Sequence, residues 1–459
     1  MNVFRQMPKF RLLCLAVVLA AGMFSTSAPA SEQASGSNAV TAWNANAGDA
    51  VVAACFLGGY APQEARLYAM TQVAIHDALN GIERRSRPYA ASLSAVPGAS
   101  PEAAVAAAAR DVLVTVLGSL SFFLPAACVE AGIASVEADY TASLATIPTG
   151  TAKTSGLALG RAAAAAILAL RSADGYDTPL VDPSYQEGTA PGEYRYTPGT
   201  PFAFAPRLGE DLTPFVLEDG SQFRPGPPYP LESRRYAADL NEIKRLGGDG
   251  VITHSERTPE QTEIALFWVE SSPLAWNRIA RTVSDAKGLD LWESARLLGL
   301  LDLALVDGYI GTWDAKYHYR FWRPVTAIRF ADIDGNPATT VDPTWTPFLE
   351  NPPIPDYDSG HAVEGGAAAE VMRRFFHTDR IGFSNCSYTL PAGQTCIDAS
   401  PTLRQFTSFS QAAEENAVSR IYVGFHFRDA VETGIRHGER IADRTVNRFL
   451  RPVGGGARD

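Results

Sequence analysis

A faint internal repeat constrains the fold more than any other feature of this chain. Ala65-Arg66-Leu67 opens a stretch reading ARLYAMTQVAIHDALNG, and Ala295-Arg296-Leu297 opens ARLLGLLDLALVDGYIG. The two share Ala, Arg, Leu, Ala, Asp and Gly at matching offsets, with apolar residues at helical spacing and few breakers, so both read as buried helices. The alanine-rich Ala103–Leu113 has a counterpart in Ala362–Met372, and Ser155-Gly156-Leu157 to Ala164 pairs with Thr433-Gly434-Ile435 to Ala442. Three segments recurring in the same order predict a duplicated helical unit; chance likeness between alanine-rich helices is the competing explanation. Small residues let helices approach closely, so each half should be a bundle. Strand signals are few. The expected fold class is mainly α.

Between the halves, residues 180–235 are crowded with proline, glycine and aromatics, including Pro191-Gly192, Pro198-Gly199 and Pro225 to Pro230. The aromatic content favours a long wrapped excursion over a disordered linker. Helices should resume over Tyr236–Leu246 and again over Thr258–Ser271, where Thr258-Pro259-Glu260-Gln261 is a helix start with proline at its first position. The expected division is an N-terminal bundle over 31–180, the excursion with its connecting helices over 181–290, and a C-terminal bundle over 291–459.

The first thirty residues stand apart. Arg5, Lys9 and Arg11 precede an apolar run from Leu12 to Phe24, and Ala28-Pro29-Ala30 offers small residues for cleavage. That anatomy predicts a signal peptide over 1–30 and an exported, periplasmic or extracellular protein. No later segment is expected to cross a membrane, and no stable membrane insertion is expected. Losing the leader would shift the formal charge from −11 to −14. So acidic a protein is a poor partner for nucleic acid or anionic membranes, and any anion site must be built locally. Cys14 leaves with the leader; Cys55, Cys128, Cys386 and Cys396 remain. Of the three possible connectivities, Cys386–Cys396 is favoured because Pro391 and Gly393 lie between them in a loop that a bridge could tie down. Free buried thiols are the alternative, and the spacings are not those of a zinc site.

Three segments carry the chemistry. In Lys316-Tyr317-His318-Tyr319-Arg320-Phe321-Trp322-Arg323-Pro324, the two cations Lys316 and Arg323 are seven residues apart. On one helix that places both on the same face, with Pro324 putting Arg323 at the helix end. Asp358-Ser359-Gly360-His361 precedes an alanine- and glycine-rich helical run. Ser359 is then an N-cap, Gly360 lets an anion approach the backbone amides, and His361 stands at the mouth, placed to move protons. In Ser419-Arg420-Ile421-Tyr422-Val423-Gly424-Phe425-His426, Arg420 and His426 would face apart on an unbroken helix, and a break at Gly424 would turn both towards one place. Each segment alone also has a bland reading, as a basic helix edge, a cap-region histidine and an ordinary helix end.

Together the segments resemble the signature shared by vanadium-dependent haloperoxidases and the acid phosphatases of the type 2 phosphatidic acid phosphatase superfamily: Lys-x6-Arg-Pro, Pro-Ser-Gly-His, Ser-Arg-x5-His. Further stretches are similar to the bacterial haloperoxidase branch: Gln222-Phe223-Arg224-Pro225 with Pro227-Pro228, Asn241-Glu242-Ile243-Lys244, Arg257-Thr258 with Gln261-Thr262, and Trp276-Asn277 with Ile279-Ala280-Arg281. The resemblance implies two stacked helical bundles, with one active site in the second; the first half has no equivalent histidines or cations. It implies vanadate as cofactor, in a site that phosphate can also occupy. Lys316, Arg323 and Arg420 would neutralise the anion, Ser359 and the Gly360 amide would donate to it, and His426 would bond to vanadium. His361 would be the acid–base and Lys316 would polarise bound peroxide. Hydrogen peroxide and halide are the implied substrates, with a small organic acceptor and a homo-oligomer as further expectations. Trp313 matches an aromatic near the halide in some relatives.

Two departures from the signature stand out. Asp358 replaces the proline before Ser-Gly-His, where its carboxylate could repel an oxyanion or tune His361. Many members carry aspartate four residues after the last histidine, where this chain has Ala430, with Asp429 one earlier. The alternatives on the same scaffold are an acid phosphatase working through a phosphohistidine and a catalytically silent oxyanion-binding protein.

Overall fold

The computed structural model describes residues 37–56 and 60–453; the expected leader, residues 1–30, lies outside them. Among the described residues, the first half contains five α-helices. Helix α1 (Ala39–Ala53) starts at an Asn38 capping box, and α2 (Ala61–Asn80) is buried along almost its whole length. Helix α3 (Pro101–Ser119) starts where the Ser100 hydroxyl accepts the Ala103 N–H. Helices α4 (Ala126–Ala145) and α5 (Thr151–Leu170) complete the group, and α3 packs on α2, α4 and α5. A Cys55–Cys128 disulfide ties the end of α1 to the start of α4. Helices α3 and α5 are, by length and composition, apolar enough to cross a membrane, against the expectation that no segment after the leader is. Alanine produces this result, because it scores as apolar while being small enough to let these helices touch.

The excursion follows with little regular structure beyond the single turn α6 (Leu208–Asp211). Helix α7 (Arg234–Leu246) and helix α8 (Pro259–Phe267) start as the sequence predicts, on Ser233 and on a Thr258–Gln261 capping box with Pro259 in the first turn. Helix α8 ends four residues earlier than expected, because α9 (Ser272–Lys287) begins afresh with Pro273 in its own first turn, where a missing N–H is harmless.

The second half is built on α10 (Leu291–Tyr319), opened by an Asp290–Glu293 capping box. It continues through α11 (Pro324–Arg329), α12 (Gly360–Phe376), a short antiparallel pair β1 (Phe383–Asn385) and β2 (Arg404–Phe406), α13 (Phe409–Tyr422) and α14 (Arg428–Arg448). The expected Cys386–Cys396 disulfide closes the loop between the two strands.

The duplication is visible in the packing. Helices α2, α3 and α5 contact one another in the same pairs as α10, α12 and α14, and α2 lies against α10. A Cβ on Gly156 would sit 2.3 Å from the Ser100 carbonyl oxygen, and one on its counterpart Gly434 would sit 2.8 Å from that of Ser359. Both glycines therefore serve the same close helix crossing. Asp77 accepts the backbone N–H groups of Tyr89, Ala90 and Ala91; its counterpart Asp307 accepts those of Phe215, Val216 and Leu217. The molecule is two stacked helical bundles that arose by duplication.

Candidate functional site

Lys316 and Arg323 do not share a helix, contrary to the sequence expectation. Arg320 takes a left-handed conformation (φ 50°) that ends α10, and Arg323 is the extended residue just before Pro324 opens α11. Both cations still reach one place. The Lys316 ammonium donates to the carbonyls of Pro355 and Asp356 at 2.9 and 2.8 Å. Arg323 donates through Nε to Ile354 O at 2.6 Å and through Nη1 to Phe425 O at 2.9 Å. Arg420, in the last turn of α13, donates through Nη1 to Trp268 O at 2.9 Å. All three cations are buried.

Gly424 breaks the chain as anticipated. Its φ of 85° ends the run of α13, and His426 follows in the short segment before α14. The His426 ring identifies its own tautomer. Arginine can only donate, and Arg323 Nη1 lies 3.1 Å from His426 Nε2, so Nε2 carries a lone pair. Nδ1 therefore holds the proton, which it gives to Asp356 Oδ1 at 2.9 Å. His361, the second residue of α12, has the opposite arrangement. Its Nε2 is 3.1 Å from the Glu270 carbonyl oxygen, an acceptor only, so Nε2–H donates and Nδ1 is the basic nitrogen.

Electrostatics keep both imidazoles neutral. Burial, then the charges of Arg323, Lys316 and Arg420, hold His426 well below the ordinary histidine range; burial and Arg420 do the same to His361. Burial also pushes Arg420 down to about 9 and Lys316 well below the usual lysine range, with Arg323 adding to the effect on both. Burial raises Asp356 to about 7. Three buried basic residues thus share one site in a chain of net charge −11.

Several donors of this cluster find no acceptor, although Asp356, bonded to His426 through Oδ1, keeps an unpaired Oδ2. Arg323 Nη2, Arg420 Nε and the Ser359 hydroxyl are buried without a hydrogen-bond partner. Ser359 is the N-cap of α12, yet its side chain makes no cap bond. A Cβ on Gly360 would meet only Thr312 and Tyr309, at 3.8 and 4.0 Å, so the protein's own packing does not require glycine there. Unpaired buried donors are costly, and donors of this kind suit a tetrahedral oxyanion. The donor set fits vanadate or phosphate.

Other expectations change. Asp358 bonds to His437 rather than to His361: its Oδ2 is 2.8 Å from His437 Nδ1, both side chains are fully buried, and its charge still reaches Lys316. The reason is the turn before α12, which lays Asp358 against α14. Trp313 is buried one turn before Lys316 on α10, and its ring packs on Tyr309, whose ring lies beside Gly360. Asp356 was not anticipated from the sequence. It supplies the histidine partner that Ala430 cannot, and nothing in the spacing of Pro355-Asp356-Tyr357-Asp358 signals which carboxylate reaches which ring.

Comparison with known proteins places this geometry. Residues 296–455 match the family described as VCPO second helical-bundle domain. The chain is 28% identical over 283 residues to the vanadium chloroperoxidase of Curvularia inaequalis, an alignment covering 49% of this chain and 45% of that protein. The chain thus matches less than half the length of that curated relative. Among solved structures, it is similar to the first bacterial vanadium-dependent iodoperoxidase, with TM-score 0.70, 24% identity, and coverage of 90% of this chain and 96% of that one. A holo-type bacterial vanadium-dependent chloroperoxidase is similar with TM-score 0.67 and 19% identity, covering 88% and 94%. These structural likenesses carry the fold.

Proposed function

We propose that this chain, a member of the vanadium haloperoxidase family, oxidises halide with hydrogen peroxide to a hypohalous acid equivalent. The observation that carries the proposal is the set of buried donors without acceptors, Arg323 Nη2, Arg420 Nε and Ser359 Oγ, together with the His426 Nε2 lone pair 3.1 Å from Arg323 Nη1. Lys316, Arg323 and Arg420 would neutralise vanadate, with Ser359 and the Gly360 amide donating to it. His426 would ligate through Nε2, with Asp356 fixing the ring. When bound, vanadate supplies a Lewis acid that stays oxidised and activates peroxide towards halide. His361 would accept a proton from incoming peroxide at Nδ1, while the Glu270 carbonyl holds its other nitrogen. The two disulfides support export to an oxidising compartment, as the leader anatomy suggests.

The test is direct. Apoprotein is loaded with vanadate and given peroxide, bromide and a brominatable dye. Halogenation that requires vanadate and is suppressed by phosphate is the expected result, and His426→Ala should abolish vanadate retention. Phosphomonoester turnover blocked by vanadate would instead establish the phosphatase alternative, in which the same Nε2 lone pair attacks phosphorus. Vanadate binding with neither activity would leave a silent oxyanion-binding protein.

A further inference from the structure

The duplication lets one half of the molecule serve as a control for the other. Repeat offsets set Ala99-Ser100 opposite Asp358-Ser359, and Leu159 opposite His437. The packing agrees: a Cβ on Gly81 would meet Leu159 Cδ2 at 2.9 Å, and one on its counterpart Gly311 would meet His437 Nε2 at 3.0 Å. The same crossing is therefore filled by alanine and leucine in the half without the site, and by aspartate and histidine in the half with it. The fold itself does not need the polar pair. Burying it is unfavourable relative to apolar residues, and Asp358 Oδ1 and His437 Nε2 are left without partners.

The two cap serines differ in a matching way. Their backbones are alike, with φ, ψ of −70°, 119° at Ser100 and −82°, 116° at Ser359. Ser100 caps its own helix, bonding the Ala103 N–H at 3.2 Å, whereas Ser359 leaves its hydroxyl free. Helix α12 thus gives up a restraint that α3 has. The backbone bond from this turn to the neighbouring helix is common to both halves, Ser100 N–H to Ala152 O at 2.8 Å and Ser359 N–H to Ala430 O at 3.1 Å; what the second half adds is the anchoring of Asp358 to α14 through His437.

We propose that Asp358 and His437 are a positioning pair that holds the Ser359-Gly360 turn open for an oxyanion, so that the Ser359 hydroxyl serves the guest rather than its own helix. The inference rests on the function proposed above. The pair touches no reactant and acts through Ser359 and the Gly360 amide.

The decisive variant is the double substitution Asp358→Ala, His437→Leu, which installs the residues of the other half. Vanadate and inorganic phosphate affinities are measured by calorimetry on the apoprotein, alongside thermal unfolding. Removing a carboxylate from a site for an anion should, by charge alone, tighten binding. Positioning predicts the reverse: an apoprotein about as stable as wild type, with both anions bound roughly tenfold more weakly. Unchanged or tighter binding overturns the proposal. Two single variants decide the matter if the double variant does not fold. His437→Asn can present a donor where Nδ1 stands and should bind within about threefold of wild type. His437→Gln cannot, and should bind about tenfold more weakly; equal affinity in the two overturns the pair's role. Failure of the proposed function reads differently, since wild-type protein would itself bind neither anion.

Discussion

An imidazole can offer its lone pair from either ring nitrogen, and the hydrogen bond on the other nitrogen decides which. In His426 that bond goes to Asp356, so the arrangement of the site depends on a residue seventy positions away in sequence. Asp356→Ala should therefore weaken vanadate affinity by about 10- to 100-fold, the usual range for partners of a metal-ligating histidine. Asp356→Asn, which keeps an acceptor for Nδ1–H, should weaken it less. Equilibrium dialysis measures both, and an unaltered affinity in the alanine variant would reject the tautomer assignment. Lys316, Arg323, Ser359, Arg420 and the two histidines were legible because their spacings recur as a signature. Asp356 and Asp358 were not, because a proline-rich loop has no period to fix where its side chains point. Only the folded loop shows one carboxylate on His426 and the other on His437.

Among the elements, periodicity and caps revealed the helices, and the repeat revealed which would pack alike. What the sequence could not show was the left-handed Arg320 that divides Lys316 from Arg323, since nothing about an arginine demands φ of 50°. The helix crossings follow from small residues, and they allow a paired test. A Cβ on Gly438 would lie 1.9 Å from Val363 O, in the crossing of α14 with α12 beneath the site. A Cβ on Gly160 would lie 2.3 Å from Ala104 O in the equivalent crossing of the first half. Alanine improves helix propensity by about 1 kcal/mol, but overpacking against backbone costs about 1–3 kcal/mol or more, so the clash wins. Both Gly438→Ala and Gly160→Ala should lower the melting temperature. Only Gly438→Ala should also weaken vanadate binding, because α12 carries Ser359 and Gly360 at its start. Equal binding losses in the two variants, measured by calorimetry, would mean that the bundles do not act separately on the site.

For the whole molecule, the question is what lies between the bundles. Where α2 and α12 both pack on α10, Glu64, Asp302 and Glu364 are buried within each other's electrostatic reach, with Tyr68, Tyr309, Arg278 and Arg281 facing the same region. Burial, against the Ser271 hydrogen bond, raises Glu64 from 4.5 to about 8, and burial raises Asp302 and Glu364 well above the carboxylate range. The native state therefore keeps protons that the unfolded chain releases. For Glu64 this stabilisation is complete below the unfolded value of 4.5 and is lost as pH rises to about 8, because the native state binds more protons throughout that window. The slope approaches about 1.4 kcal/mol per pH unit for each such proton. Glu64→Gln keeps an acceptor for Ser271 and cannot ionise, so it should melt like wild type near pH 4 and higher than wild type by about pH 8. Subtracting the two melting curves across that range removes the titrations that Glu64 does not touch and leaves Glu64 with the neighbours coupled to it. A flat difference would mean that Glu64 is already ionised between the bundles, and that the contact joining the two copies of the ancestral unit is held by charge rather than by shared protons.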